Sequence, residues 1–337
     1  MKEAGYWKGL EHKRVQCELC PHRCIIAESK TGICGVRKNQ GGILVSLVWG
    51  RSIAANVDPI EKKPLYHFLP GSQSFSIATV GCNLRCTFCQ NSDISQYPVH
   101  TGNITGEKAE PEEIVEAAKR RGCASISYTY TEPTIYLEYA LDTARIAKGK
   151  GIRNVFVTNG YINADIVRGD LSGLIDAANI DLKSFSDSFY KKLCSARLQP
   201  VLDAITAYHE AGIWIELTTL VIPGENDSPE ELRDIARFIS SVDPEIPWHL
   251  SRFYPRYQYE DAPPTPVHVL EKAGEIGLQE GLVYVYTGNV VGHRGENTFC
   301  PGCGREIISR KGYVIAGMGV QGNACTSCGH YISGHFI

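Results

Sequence analysis

From residue 74 to about residue 290 apolar runs of strand length alternate with amphipathic runs of helix length. The strand-like runs are 75–80, 124–129, 153–158, 178–183, 213–222, 247–253 and 282–287. Between them, Glu110 to Arg121 opens with Pro111 and stops at Gly122, and Thr134 to Lys150 stops at Gly151. Pro200 to Glu210 carries Val201, Ile205 and Tyr208 on one face. Pro229 to Ser240 places Leu232, Ile235, Ala236 and Ile239 at i, i+3, i+4 and i+7, the stripe of a core-facing helix. Repeated β-α units imply a parallel sheet with right-handed crossovers. The expected fold class is α/β, a partial (β/α)6 TIM-type barrel, in which chemistry sits at the C-terminal ends of the strands.

The pattern differs on either side. Residues 1–73 hold a cysteine-rich segment and a short β region, with β-branched and apolar runs at 43–48 and 52–57. A Pro-punctuated loop from Asp58 to Gly71 leads into the barrel. Residues 291–337 form a second cysteine-rich module. The predicted division is therefore 1–73, 74–290 and 291–337.

Composition adds mainly exclusions. The 337 residues are 43% hydrophobic and 21% charged with net charge −3, ordinary for a soluble globular chain. Without a basic excess, a nucleic-acid-coating surface is not expected. No apolar h-region marks the N-terminus, and no run approaches the ~20 apolar residues of a membrane span.

Thirteen cysteines change the picture more. Cys17, Cys20, Cys24 and Cys34 follow C-x2-C-x3-C-x9-C, and Cys300, Cys303, Cys325 and Cys328 form two C-x2-C knuckles, each followed by glycine. Without a signal peptide, such spacing reads as metal or cluster ligation in a reducing cytoplasm rather than a disulfide framework. Four thiolates suit a closed tetrahedral site. Zinc is the first expectation for the N-terminal four, with an iron–sulfur cluster as the alternative and His22 as a neighbouring polar group. The C-terminal knuckles read as a zinc-ribbon-like appendage with a structural or docking role, or as a further cluster site. Cys123 and Cys194 stand alone and read as small buried hydrophobes.

The third group, Cys82, Cys86 and Cys89, has spacing C-x3-C-x2-C directly after the first barrel strand. Three thiolates hold three corners of a cubane cluster and leave one iron open, the logic that separates catalytic from structural metal sites. A zinc knuckle is the plain alternative. With Phe88 before the last cysteine, the stretch resembles the signature of the radical S-adenosylmethionine (SAM) superfamily.

Other strand ends extend the resemblance to the pyruvate formate-lyase-activating-enzyme branch. Glu132-Pro133-Thr134 resembles the end of that branch's Gly-Gly-Glu-Pro-Thr motif, with Tyr130 and Thr131 in place of the glycines. Thr158-Asn159-Gly160, Asp181-Leu182-Lys183 and Ile222-Pro223-Gly224-Glu225-Asn226-Asp227 also resemble it. The N-terminal four-cysteine segment and the Tyr-Thr-Tyr-Thr-Glu-Pro variant most resemble the radical SAM member of the AmmeMemoRadiSam system.

The resemblance implies a 4Fe–4S cluster on Cys82, Cys86 and Cys89 that reductively cleaves SAM to a 5′-deoxyadenosyl radical. That radical abstracts hydrogen from, or adds to, a substrate. The implied cofactor contacts are Phe88 to adenine, Glu132 to the ammonium, Lys183 to the carboxylate, and Asn159, Asp181, Asn226 and His249 to the remaining polar groups. Thr158 with Asp181 is implied as a monovalent cation site. Simpler readings stand beside these: Asp181–Lys183 as a buried ion pair, Asn226 to Pro229 as a helix cap, and His249 as a core histidine. A small-molecule substrate, aromatic or isoprenoid, suits an aromatic-rich mouth of Tyr128, Tyr130, Tyr136, Tyr161, Phe253 and Tyr254, unless those rings are packing. Activation of a partner enzyme is the alternative, and a non-catalytic zinc-rich adaptor is the competitor from another class. A flavodoxin or ferredoxin is the expected electron donor, and oxygen sensitivity follows.

Overall fold

The computed structural model describes residues 2–336. Its centre is one eight-stranded sheet. The strands are β1 (Ala54–Pro59), β2 (Gln73–Ala78), β3 (Ser125–Tyr128), β4 (Arg153–Thr158), β5 (Ala177–Asp181), β6 (Trp214–Val221), β7 (Trp248–Arg252) and β8 (Val285–Gly288). They lie side by side in chain order. Strands β2 to β8 are mutually parallel, and β1 is antiparallel to β2. Among the described residues β1 and β8 remain unpaired edges, so no ring of hydrogen bonds closes the sheet. All seven strands expected from the apolar runs are present. The β run expected at 52–57 is β1, but it joins the main sheet rather than a separate β region. An edge strand reads alike whichever sheet it joins, so its partner is set in three dimensions.

The crossovers carry α1 (Pro111–Arg120), α2 (Leu137–Gly149), α3 (Gln199–Glu210), α4 (Pro229–Val242) and α5 (Val267–Gln279). Helix α1 starts where it does because Pro111 fits the first turn and the Glu113 carboxylate accepts from the Glu110 N–H at 2.8 Å. In α4 the Ser228 hydroxyl accepts from Glu231 N at 3.2 Å, and Leu232, Ile235, Ala236 and Ile239 are all buried. Burying each of those Leu and Ile side chains contributes about 1.5–3 kcal/mol. The run expected from Thr134 opens as a 3-10 turn, Pro133–Tyr136, before α2 begins.

Both flanking modules pack on the sheet. In the first, Trp7–Gly9, Val15–Cys17 and Ile25–Ile26 form one small antiparallel sheet, and Lys2–Glu3, Ile43–Ser46 and Arg37–Gln40 form another. Its Val15, Leu19, Ile26, Val36 and Leu44 belong to the same apolar core as the β-α units. In the last, Glu306–Lys311 and Val314–Met318 form a hairpin between the two cysteine knuckles. Ile307, Ile308, Val320 and Ile332 make a separate small core with Tyr66, Tyr284 and Tyr286. The chain end returns to the 60s loop, where His335 N donates to His67 O and Leu69 N to His335 O, both at 2.7 Å.

Candidate functional site

Strand β2 delivers its chain directly into Gly81-Cys82-Asn83-Leu84-Arg85-Cys86. Gly81 has φ +104, and a Cβ there would meet Val36 Cγ1 at 2.7 Å and the Cys34 carbonyl at 3.1 Å. Glycine is required by both conformation and space. The loop is pinned from the turn after β5: Arg85 N donates to Cys194 O at 2.9 Å and Thr87 N to Leu193 O at 3.0 Å. Arg85 also donates to the carbonyls of Cys82 and Leu84. Cys82 Sγ accepts from Leu84 N at 3.4 Å and Asn159 Nδ2 at 3.6 Å, and Cys89 Sγ lies 3.3 Å from Ser95 Oγ.

Among the described residues, the one group of three or more Cys, His, Asp or Glu whose ligand atoms all lie within 4.8 Å is Cys300, Cys303, Cys325 and Cys328. The triad sulfurs are therefore more widely set than a mononuclear site requires. Wide spacing, N–H donors on Cys82 and no fourth cysteine in the loop fit a cubane with one open iron.

Glu132 sits at the centre of the neighbouring strand ends. It is completely buried. Its Oε1 accepts from Thr134 N (2.9 Å), Thr134 Oγ1 (2.6 Å) and Thr158 Oγ1 (2.8 Å), and Oε2 from Asn159 N (2.8 Å). Burial pushes its carboxyl pKa up against the pull of these donors. The carboxylate thus holds the turn after β4. That turn aims Asn159 Nδ2 at Cys82 and at Asn83 Oδ1, the latter at 2.9 Å. Both residues of the implied cation site have protein partners: Thr158 donates to Glu132, and Asp181 accepts from Lys183 Nζ at 2.6 Å.

Tyr130, in place of the first glycine of the related motif, has φ +61. The position keeps the left-handed backbone that glycine adopts readily, at a cost of about 1–2 kcal/mol. Two contacts hold it there: Asn91 Nδ2 donates to its carbonyl at 2.8 Å, and its hydroxyl donates to Asp58.

Lys183 is half-buried, 5.9 Å from the Phe88 ring centroid, and in the field of Cys86 and Cys194. Desolvation opposes its charge, but Asp181 and these cysteines outweigh it and raise its pKa. Phe88 is itself buried and tilted against Phe189 at 5.8 Å. Asn226 is spent internally. Its Nδ2 donates to the Lys183 and Leu220 carbonyls and its Oδ1 accepts from Ile222 N. Ser228, not Asn226, caps α4.

His249 belongs to a different cluster. Its Nε2 lies 2.7 Å from Glu216 Oε2, and its ring packs against Tyr66 and Tyr286. The expected aromatic mouth is mostly packing: Tyr128, Tyr136, Tyr161 and Phe253 are buried, and Tyr254 is exposed beside Arg252. The reason is steric, since rings following a parallel strand turn toward the covering helices as readily as toward an opening.

Two residues emerge that the sequence pattern did not single out, Asn83 and Glu216, and Cys194 gains a contact that its reading as a buried hydrophobe did not include. Asn83 donates to Tyr161 O at 2.7 Å and accepts from His22 at its carbonyl at 2.8 Å, linking the triad loop to the N-terminal cysteines. Cys194, one of the isolated cysteines, lies beside Cys86 and, ahead of burial, pushes that thiol's pKa up. Glu216 is fully buried and accepts from Tyr66 N, His67 N and Trp214 Nε1 as well as facing His249. A charged residue inside an otherwise apolar strand was the available signal for Glu216.

The C-terminal four are compact, with Cys300–Cys328 at 3.6 Å and Cys303–Cys325 at 3.9 Å between sulfurs. No helix among the described residues is long and apolar enough to cross a membrane.

The chain is similar to known proteins. Residues 76–239 match the model of the radical SAM superfamily. The chain is 45% identical over 338 residues to the uncharacterized protein MJ0808 of Methanocaldococcus jannaschii, covering 98% of this chain and 99% of that one. It is 24% identical to a pyruvate formate-lyase-activating enzyme of Clostridium pasteurianum, over 48% of this chain and 67% of that one. In fold it is similar to a radical SAM methyltransferase from Sphaerobacter thermophilus, with TM-score 0.51 and 18% identity over 66% and 68% of the two chains. Triad, parallel sheet and family model converge: residues 76–239 are a domain of the radical SAM superfamily.

Proposed function

We propose that the protein cleaves SAM reductively and directs the resulting radical at a substrate bound over the C-terminal ends of the strands. The observation that carries this reading is the triad loop at the end of β2, lacking a fourth cysteine, with a Glu132-anchored turn donating to Cys82. When bound, the 4Fe–4S cluster and SAM supply the one-electron, radical-generating chemistry. The protein's part is placement. Cys82, Cys86 and Cys89 would hold the cluster, and the ion pair of Lys183 and Asp181 would face the carboxylate and ammonium of SAM. Asn159 braces Cys82 and Asn83, and Asn91 holds the Tyr130 loop.

The resemblance to an activating enzyme supports a second reading, in which the substrate is a partner protein. The buried aromatics remove the structural argument for an aromatic small molecule. Reduced, iron-loaded protein should produce 5′-deoxyadenosine from SAM, and Cys86→Ala should not. No 5′-deoxyadenosine from a fully loaded sample would sink the enzyme reading and favour a zinc-rich adaptor. Faster turnover with the macromolecular fraction of a cell extract than with its small-molecule fraction would select the activase reading.

A further inference from the structure

The N-terminal four cysteines differ in geometry from the C-terminal four. A tetrahedral zinc site with Zn–S of about 2.3 Å brings its sulfurs to about 3.8 Å from one another. The C-terminal sulfurs approach that spacing, whereas among the described residues no three of the N-terminal ligand atoms lie within 4.8 Å. They converge nonetheless: Cys17, Cys20, Cys24 and Cys34 all line one cavity. In a cubane each thiolate takes a different iron, so wide sulfurs around a void are the arrangement such a core requires.

A second observation points the same way. Arg37 lines this cavity and is buried, and its Nε has no hydrogen-bond partner. Its other nitrogens are occupied by Glu138 and Gly5 O. An unpartnered buried N–H on a cation is costly. A metal centre with four thiolate ligands is anionic and has sulfurs that accept hydrogen bonds, and so supplies what this group lacks; the sulfur spacing is what selects a cluster over zinc.

We infer that Cys17, Cys20, Cys24 and Cys34 hold a second 4Fe–4S cluster, which relays electrons to the cluster at Cys82, Cys86 and Cys89. The contact between the two sites is direct. Asn83, adjacent to Cys82, lines the N-terminal cavity, and its carbonyl meets His22. The Cys34 carbonyl abuts Gly81 on the other side of Cys82. In the relay, a low-potential one-electron carrier such as reduced flavodoxin or ferredoxin reduces the N-terminal cluster. That cluster is then reoxidised as the triad cluster gains the same electron, and no bond forms or breaks. The relay rests on the radical SAM reading of the triad; the cluster site does not.

The full chain carrying Cys82→Ala, Cys86→Ala and Cys89→Ala, reconstituted anaerobically with iron and sulfide, tests the site. The expected content is about four iron, about four sulfide and about one zinc per chain, with an electron paramagnetic resonance signal on dithionite reduction. About two zinc and no iron would overturn the assignment. Should that variant not fold, Cys20→Ser with Cys24→Ser in an intact triad background should halve the iron of the parent protein, and unchanged iron would overturn it equally. For the relay, the fully reduced parent should show a spin-coupled spectrum. A spectrum equal to the sum of the two single-site variants would refute the relay. Absence of SAM cleavage by the parent is a separate outcome that bears on the triad alone.

Discussion

Glu132→Gln separates a carboxylate that positions the site from one that binds SAM directly. In the folded protein three donors converge on Oε1 and one, Asn159 N, on Oε2. An amide keeps the oxygen facing the three donors and places NH2 against the Asn159 N–H. One hydrogen bond to a charged group is lost, worth about 1.5–3 kcal/mol, and two donors are left facing each other in a fully buried site. Relief of the desolvation that raises the carboxyl pKa offsets part of this. The net cost should be about 2 kcal/mol by anaerobic urea unfolding. Glu132→Ala leaves four donors unpartnered and should cost at least twice as much. Because Asn159 Nδ2 also donates to Cys82 Sγ, the Gln variant should shift the reduction potential of the triad cluster while retaining its iron. Unchanged stability together with a large loss of SAM affinity would refute the positioning role and restore a direct contact.

Gly81→Ala should destabilise the chain by at least ~2 kcal/mol, because a positive φ and a Cβ 2.7 Å from Val36 act together, and should lower iron loading at both neighbouring cysteine sites. Normal iron content would contradict the contact between modules. Burial lowers the His67 pKa to about 4 from 6.5. Between those values the unfolded state binds more protons, so stability falls as pH drops through the window, by about 3 kcal/mol in full and about 2 kcal/mol by pH 5. Urea unfolding at pH 7.5 and 5.0 should show that loss in the parent and much less of it in His67→Gln; equal losses would exclude His67 as its origin. Removing metal from Cys300, Cys303, Cys325 and Cys328 should open residues 298–336 to protease, since Cys300 and Cys325 are part of that module's small core. A tail that stays resistant after chelation would show that the hairpin stands without metal.

The stripe at Leu232, Ile235, Ala236 and Ile239, the Pro and Gly punctuation and the seven apolar runs announced the β-α order, because burial against a sheet imposes those periods locally. The triad was equally legible, since its ligands lie within one loop. The partners of Glu132, Asn226 and His249 were not. Each residue follows or sits in a strand, where either face is open to a polar side chain, and sequence position does not say which groups meet it. Arg37 lies in a strand of polar residues, Arg37–Gln40, where no period marks it as buried.

The sequence alone determined the parallel β-α architecture, the three groups of cysteines and the radical SAM resemblance, all of which rest on spacing along the chain. Only the tertiary structure decided how wide each group of sulfurs stands, that the N-terminal cysteines abut the triad loop through Asn83 and Gly81, and that Glu132 braces a turn. Those are distances between residues far apart in sequence, fixed by packing and by where buried polar groups find their partners.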